Sequence, residues 1–214
     1  MLARAPASAF SVAGNLYKVL FIQRARSSGF MANAHVFPGG LLDPADEAPV
    51  WSDASAGISA PVAAAPAPGS FPIRSDKRDS IALRVGALRE LFEETGLLLA
   101  RPASAAAGAP TATTPGSPYF SHAHSFPSPE SQRAAQQASS ANASSLAQLL
   151  EQQRLRLEAQ KLAPWSRWIT PVFEKRRYDT LFYLAAVRTL AQSFAVAKFA
   201  QAGIPARNWA SQSR

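Results

Sequence analysis

A helix that carries three crowded carboxylates is the feature that most limits how this chain can fold. The stretch from Ser75 to Thr95 predicts one helix, because its apolar residues fall on a single stripe: Ile81, Val85, Leu88 and Phe92. Gly96 follows as a residue suited to ending it. Like charges one helical turn apart cost about 0.2–0.5 kcal/mol per pair. Glu90, Glu93 and Glu94 therefore predict a positive partner, unless they form a solvated acidic face.

The composition limits what that partner can be. The chain of 214 residues has 22 Lys and Arg against 14 Asp and Glu, three His and no Cys. The missing cysteines exclude disulfides, thiol nucleophiles and cysteine-bound zinc. The basic excess favours anionic partners, such as nucleic acid, a membrane surface or a phosphorylated small molecule. Any metal should have oxygen ligands, and Mg²⁺ commonly bridges carboxylates to substrate phosphates.

Two tracts rich in Pro, Ala, Ser and Gly interrupt the periodic segments. Residues 48–74 and 103–143 lack a period of 2 or 3.6, which predicts disordered insertions. No run of 18 apolar residues occurs, so we expect no transmembrane helix. The other predicted elements are strands in Asn15–Ala25, "AHVF", "RWITPVF" and "RRYDTLFYLAAV", and helices in Ser144–Pro164 and Thr189–Ala202.

The acidic helix resembles the signature of the Nudix hydrolase family, G-x5-E-x7-R-E-U-x-E-E-x-G-U, where U is a bulky aliphatic residue. Its second half fits Arg89 to Leu97, "RELFEETGL", at every specified position. Its first half fits Gly40 followed by Asp46, so that Asp46 or the adjacent Glu47 stands where the family has Glu. The spacing departs from the family, because 42 residues instead of seven separate Asp46 from Arg89. Whether Asp46 or Glu47 reaches the metal is left open.

Further segments are similar to the peroxisomal coenzyme A diphosphatase branch of this family, over residues 12–50, 78–100 and 146–187. The resemblance implies a single α/β Nudix domain over 1–214, an α/β/α sandwich with a mixed sheet. In it, 48–74 and 103–143 are insertions and 188–214 is a divergent tail, as expected of a truncated product. The branch implies a peroxisome, although the final "SQSR" is not an SKL-type signal. Cytoplasm and mitochondrion are the alternatives.

The same resemblance implies a diphosphatase that uses Mg²⁺ or Mn²⁺. It would hydrolyse the pyrophosphate of coenzyme A or acyl-coenzyme A to 3′,5′-ADP and (acyl-)4′-phosphopantetheine. By this likeness Glu90 and Glu94 bind the metal, and Glu93 binds a further ion or accepts the proton of the attacking water. Arg89 holds these carboxylates in place. The residues expected to contact substrate are Gly39, Gly40, His35, Arg176 and Arg177.

Two other functions are compatible with the same residues. One is a diphosphatase for another nucleoside diphosphate derivative, such as a nucleotide sugar or the cap of an RNA, the one nucleic acid expected as a substrate. The other is a truncated, inactive binding remnant. The three intact acids argue against a remnant, because a binding module has no need of carboxylates that repel one another. The oligomeric state is not predicted.

Overall fold

A computed structural model of the chain describes residues 7–11, 18–27, 32–51, 80–103, 119–120, 124–174, 177–188 and 193–202. The helices are α1 (Ile81–Thr95), α2 (Pro129–Ala141) and α3 (Ser144–Gln152). The strands are β1 (Ala7–Ser11), β2 (Lys18–Gln23), β3 (His35–Val36), β4 (Ala100–Pro102), β5 (Tyr119–Phe120), β6 (Leu155–Leu157), β7 (Ala163–Ile169), β8 (Asp179–Arg188) and β9 (Ser193–Ala202).

The main sheet is mixed, as predicted. Its strands follow the order β1-β2-β9-β8-β5, with β3 paired to β2 and β7 paired to β8. The β2–β9 and β5–β8 pairs are parallel, whereas β1–β2, β2–β3, β7–β8 and β8–β9 are antiparallel. Strands β4 and β6 form a separate antiparallel pair. The chain therefore has the expected α/β fold.

Helix α1 lies against β8 and β9 and is buried on nearly every side. The predicted stripe is confirmed, since Val85, Leu88 and Phe92 are all buried in the core. The helix begins at Ile81, later than predicted, because Ser80 is its N-cap and accepts from Leu83 N at 3.3 Å. It ends at Gly96, whose φ of 81° is the left-handed conformation that glycine adopts without strain.

Three sequence predictions of secondary structure are wrong. The tract 103–143 is not wholly disordered, because it contains α2, whose residues Gln136 and Ser139 are buried. The helix predicted for Ser144–Pro164 ends at Gln152 and is followed by β6, which pairs with β4. The helix predicted for Thr189–Ala202 is β9 from Ser193 onward, hydrogen-bonded to β8. The tract 52–79 and residues 203–214 lie outside the described residues.

One buried cation ties α1 to the segment that precedes β7. Arg84 Nη1 donates to the carbonyl oxygens of Ala159 and Leu162 at 3.0 and 2.7 Å, and its guanidinium lies 5.5 Å from the Tyr183 ring centre. These contacts fix the axial position of α1 on the sheet.

Among the described helices, none is long and apolar enough to cross a bilayer.

Candidate active site

The three carboxylates of α1 lie in its last two turns, next to the loop that follows β3. Glu90, Glu93 and Glu94 are partly buried, and the side chains of Glu90 and Glu93 are 16% and 10% exposed. They are not a solvated acidic face. The neighbouring loop, Phe37 to Gly40, reaches them because β3 pairs with β2 and ends at Val36.

Two adjacent glycines bring this loop against the acidic helix. Gly39 N donates to Glu94 Oε2 at 2.7 Å, and Gly39 has φ 154°, which residues with a side chain rarely adopt. A Cβ at Gly40 would overlap the carboxylate of Glu90. The structure therefore brings both predicted glycines into direct contact with two of the predicted metal ligands, and the absence of a side chain at residue 40 is what allows it.

Arg89 is the positive partner of the acidic cluster. Its Nη1 donates to Glu90 Oε1 at 3.1 Å and to both Glu93 carboxylate oxygens at 3.2 Å. Burial disfavours the charged guanidinium, but the hydrogen bond to Asp46 and the attraction of Glu90, Asp46 and Glu93 outweigh it and raise the pKa of Arg89. Arg89 thus carries a permanent positive charge beneath the carboxylates.

Asp46, which precedes the long insertion in the sequence, also forms an ion pair with Arg89. Its Oδ1 and Oδ2 accept from Arg89 Nε and Nη2 at 2.9 and 3.0 Å, and Oδ2 also accepts from Asp43 N at 2.9 Å. Asp46 is 2% exposed, whereas Glu47 is exposed to solvent. Of the two candidate acids, Asp46 is therefore the one that binds the arginine.

Glu93 has a second support from α2. Ser139 Oγ donates to Glu93 Oε1 at 2.6 Å, and Gln136 Nε2 donates to the backbone oxygens of Phe92 and Glu93 at 2.9 and 3.2 Å. The sequence does not indicate either residue, because both lie in the tract whose composition predicts disorder. Ser128 before Pro129 and Glu130 is a helix-start signal, and the structure shows Ser128 capping α2.

The donors at this site are carboxylate oxygens, which suit a hard divalent cation. Within the described residues, however, no three His, Asp or Glu side chains are grouped so as to hold an ion. Arg89 donates to Glu90 and Glu93, and Gly39 N donates to Glu94. The chemistry of the donors fits Mg²⁺ or Mn²⁺, and Glu90 and Glu94 are the residues beside the glycine loop.

The three other residues predicted to contact substrate lie in different parts of the chain. His35 is exposed in β3, opposite Gln23 of β2 and four residues before Gly39. Arg177 lies in the connection between β7 and β8, where its Nε donates to Thr170 O at 3.1 Å. Arg176 lies outside the described residues. The roles of these three residues stay predictions.

Comparison with known proteins gives three consistent matches. A family model described as the NUDT19 Nudix domain matches residues 1–213. The acyl-coenzyme A diphosphatase NUDT19 of Gallus gallus is 33% identical over 192 residues, which cover 81% of this chain and 49% of that protein. The Homo sapiens protein of the same name is 30% identical over 190 residues, covering 80% of this chain and 48% of that protein. The chain thus spans about half the length of these curated relatives.

A solved structure supports the fold alone. The crystal structure of a NUDIX hydrolase from Alicyclobacillus acidocaldarius superposes with a TM-score of 0.51 at 20% identity, covering 92% of this chain and 68% of that one.

Proposed function

This chain belongs to the NUDT19 Nudix domain family, and we propose that it hydrolyses the pyrophosphate of coenzyme A or acyl-coenzyme A in the presence of Mg²⁺ or Mn²⁺. The products would be 3′,5′-ADP and (acyl-)4′-phosphopantetheine. The coenzyme A class of substrate is supported by the names of the relatives, acyl-coenzyme A diphosphatases. The chain's formal net charge of +8 is compatible with a polyanionic substrate.

The observation that carries this proposal is the contact between the glycine loop and the acidic helix. Gly39 N reaches Glu94, and the carboxylate of Glu90 fills the space beside Gly40. Arg89 joins Glu90, Glu93 and Asp46 in one buried ion-pair cluster. A helix that needed these acids only for solubility would leave them in water, so their burial around one arginine favours a site that handles a cation.

The roles proposed for the carboxylates are those that the resemblance to the Nudix signature implies. Glu90 and Glu94 would hold the divalent cation, which would supply positive charge against the pyrophosphate and lower the pKa of the attacking water. Arg89 orients Glu90 and Glu93 through Nη1. Glu93 would bind a further ion or accept the proton of the attacking water. Gly39 and Gly40 keep side chains away from the carboxylates.

Two alternatives differ in substrate or in activity. A nucleotide sugar or capped RNA would present the same pyrophosphate to the same carboxylates. An inactive binding remnant would need none of the charges that cluster around Arg89, which argues against it. Residence in the peroxisome stays a prediction.

A substrate panel tests the proposal. The purified chain is incubated with coenzyme A, a short and a long acyl-coenzyme A, a nucleotide sugar and capped RNA, with Mg²⁺ or Mn²⁺. Products are separated by chromatography. We expect 3′,5′-ADP from the coenzyme A substrates at a rate at least tenfold above that of the other substrates.

Glu94→Gln is the inactive variant and Glu151→Gln, at an exposed position of α3, is the matched control. Preference for the nucleotide sugar or capped RNA would contradict the proposed coenzyme A substrate but would leave the proposed pyrophosphate hydrolysis in place. Turnover of Glu94→Gln equal to that of Glu151→Gln would remove α1 as the site.

A further inference from the structure

Helix α2 directs one polar face at the C-terminal end of α1. Three residues spaced by four and three positions make the contacts: Gln132, Gln136 and Ser139. Gln132 Nε2 donates to Gly96 O at 2.8 Å, and Gln136 Nε2 donates to Phe92 O and Glu93 O. Ser139 Oγ donates to the Glu93 carboxylate. Residues at this spacing lie on one side of a helix, so the four hydrogen bonds act together.

The hydrogen bonds from Gln132 and Gln136 go to backbone oxygens at the C-terminal end of α1. The last carbonyl groups of a helix have no partner within the helix, and helix ends open more readily than their middles. Glu93 and Glu94 lie in this last turn, next to the C-cap Gly96. The two glutamine amides of α2 supply donors for two of these carbonyls, Glu93 O and Gly96 O, and a second donor for Phe92 O, which already accepts from Gly96 N at 2.8 Å. They therefore stabilise the turn that carries two of the three carboxylates.

The serine acts on a carboxylate directly. Ser139 is 2% exposed, and the oxygen of Glu93 that it contacts also accepts from Arg89 Nη1 at 3.2 Å. Two donors from different elements thus fix the rotamer of one side chain. The hydroxyl does this without adding charge, so it orients Glu93 without neutralising it as a second arginine would.

We propose that α2 is a positioning element of the active site, in which Ser139 orients Glu93 and Gln136 holds the last turn of α1. The catalytic consequence of this inference rests on the proposed function. The hydrogen bonds by which α2 stabilises the last turn of α1 do not depend on that function. A displacement of about 1 Å at a reacting group can cost a hundredfold in rate, so a loosened Glu93 should reduce turnover more than substrate affinity.

Paired variants within α2 separate a positioning role from a structural one. Ser139→Ala is compared with Ser140→Ala, and Gln136→Ala with Gln137→Ala, because Ser140 and Gln137 are exposed neighbours in the same helix. We expect Ser139→Ala to lower kcat about tenfold, with the KM for coenzyme A changed less than twofold. Calorimetric titration with Mn²⁺ should show an affinity weakened about fivefold. Ser140→Ala should match the wild type in all three measurements.

Hydrogen exchange tests, independently of activity, whether α2 stabilises the last turn of α1. In Gln136→Ala, the amides of residues 92–96 should exchange at least tenfold faster than in Gln137→Ala, while those of residues 83–88 keep their rate. Unchanged exchange of that turn, together with a normal kcat and Mn²⁺ affinity in Ser139→Ala, would overturn the proposal. If the variants have a lower melting temperature but unchanged exchange, kcat and Mn²⁺ affinity, α2 contributes only packing to the fold. If the wild-type chain cleaves no substrate, the proposed function fails, and exchange and Mn²⁺ binding still decide the inference.

Discussion

The substitution Asp46→Asn should destabilise the fold by removing the counter-charge of a buried arginine. The Asp46 carboxylate is 2% exposed and accepts three hydrogen bonds, from Arg89 Nε, Arg89 Nη2 and Asp43 N. An asparagine amide keeps the shape, but its NH₂ group faces Arg89 Nε in one orientation and both Arg89 Nη2 and Asp43 N in the other. Each buried donor without an acceptor costs about 1–3 kcal/mol, and breaking a buried ion pair costs about 3–5 kcal/mol.

Arg89 keeps Glu90 and Glu93 as partners, so we place the loss at about 3–4 kcal/mol, near the lower end of the range for a buried pair. Urea unfolding followed by circular dichroism measures it. With a slope of about 2 kcal/mol per molar, the midpoint should fall by about 1.5–2 M. The matched control is Glu47→Gln, an exposed neighbour, which should stay within about 0.5 kcal/mol of the wild type. A loss below about 1 kcal/mol for Asp46→Asn, or one equal to that of the control, would refute the structural role given to this pair.

Four further variants test other contacts. Gly40→Ala should cut kcat more than tenfold with a melting temperature within about 3 °C of the wild type, because the new methyl group displaces the movable end of Glu90; an unchanged kcat would contradict the close approach. Gly86→Ala should lower the stability of the fold, measured by urea unfolding, because its Cβ would lie 2.8 Å from the fixed Asp46 Oδ2. This effect should outweigh the preference of helices for alanine over glycine, about 1 kcal/mol. A gain in stability would show that Asp46 can move. Glu94→Gln should lower kcat at least about a hundredfold with an unchanged circular dichroism spectrum, as expected of a lost metal ligand. Arg177→Ala should raise the KM for coenzyme A about tenfold, and that for a nucleotide sugar less, if this guanidinium binds the 3′-phosphate; equal effects on both would point to its bond with Thr170 O instead.

The parts of the fold that the sequence predicts are those with a strong period or motif. Helix α1 has its apolar residues at helical spacing and a glycine at its end, and β8 alternates and then becomes wholly apolar, so both were found. Helix α2 was missed because its buried face is made of Gln136 and Ser139, which composition counts as polar. The sequence predicts a helix where the structure has β9, because pairing with β8 decides the conformation of this segment and no local pattern shows that pairing.

The candidate site divides in the same way. The motif located the carboxylates and Arg89, because residue type and spacing on one helix are visible in the sequence. The support from Ser139, 46 positions beyond Glu93, and the contact of Gly39 with Glu94 depend on how distant elements meet. Such contacts follow from tertiary packing, which a single sequence does not display.

The pairing of Asp46 with Arg89 has a consequence for how much chain can lie between them. Joining the ends of a segment costs conformational entropy that grows only with the logarithm of its length, as (3/2)RT ln n. Lengthening it from the family's seven residues to the 42 found here costs about 1.6 kcal/mol on that relation, less than the cost of removing one partner of a buried ion pair, about 3–5 kcal/mol. The first and second halves of the motif can thus be separated by segments of very different length and still assemble the same site. Relatives of this chain are better sought by the residues that meet around Arg89 than by a fixed interval between them.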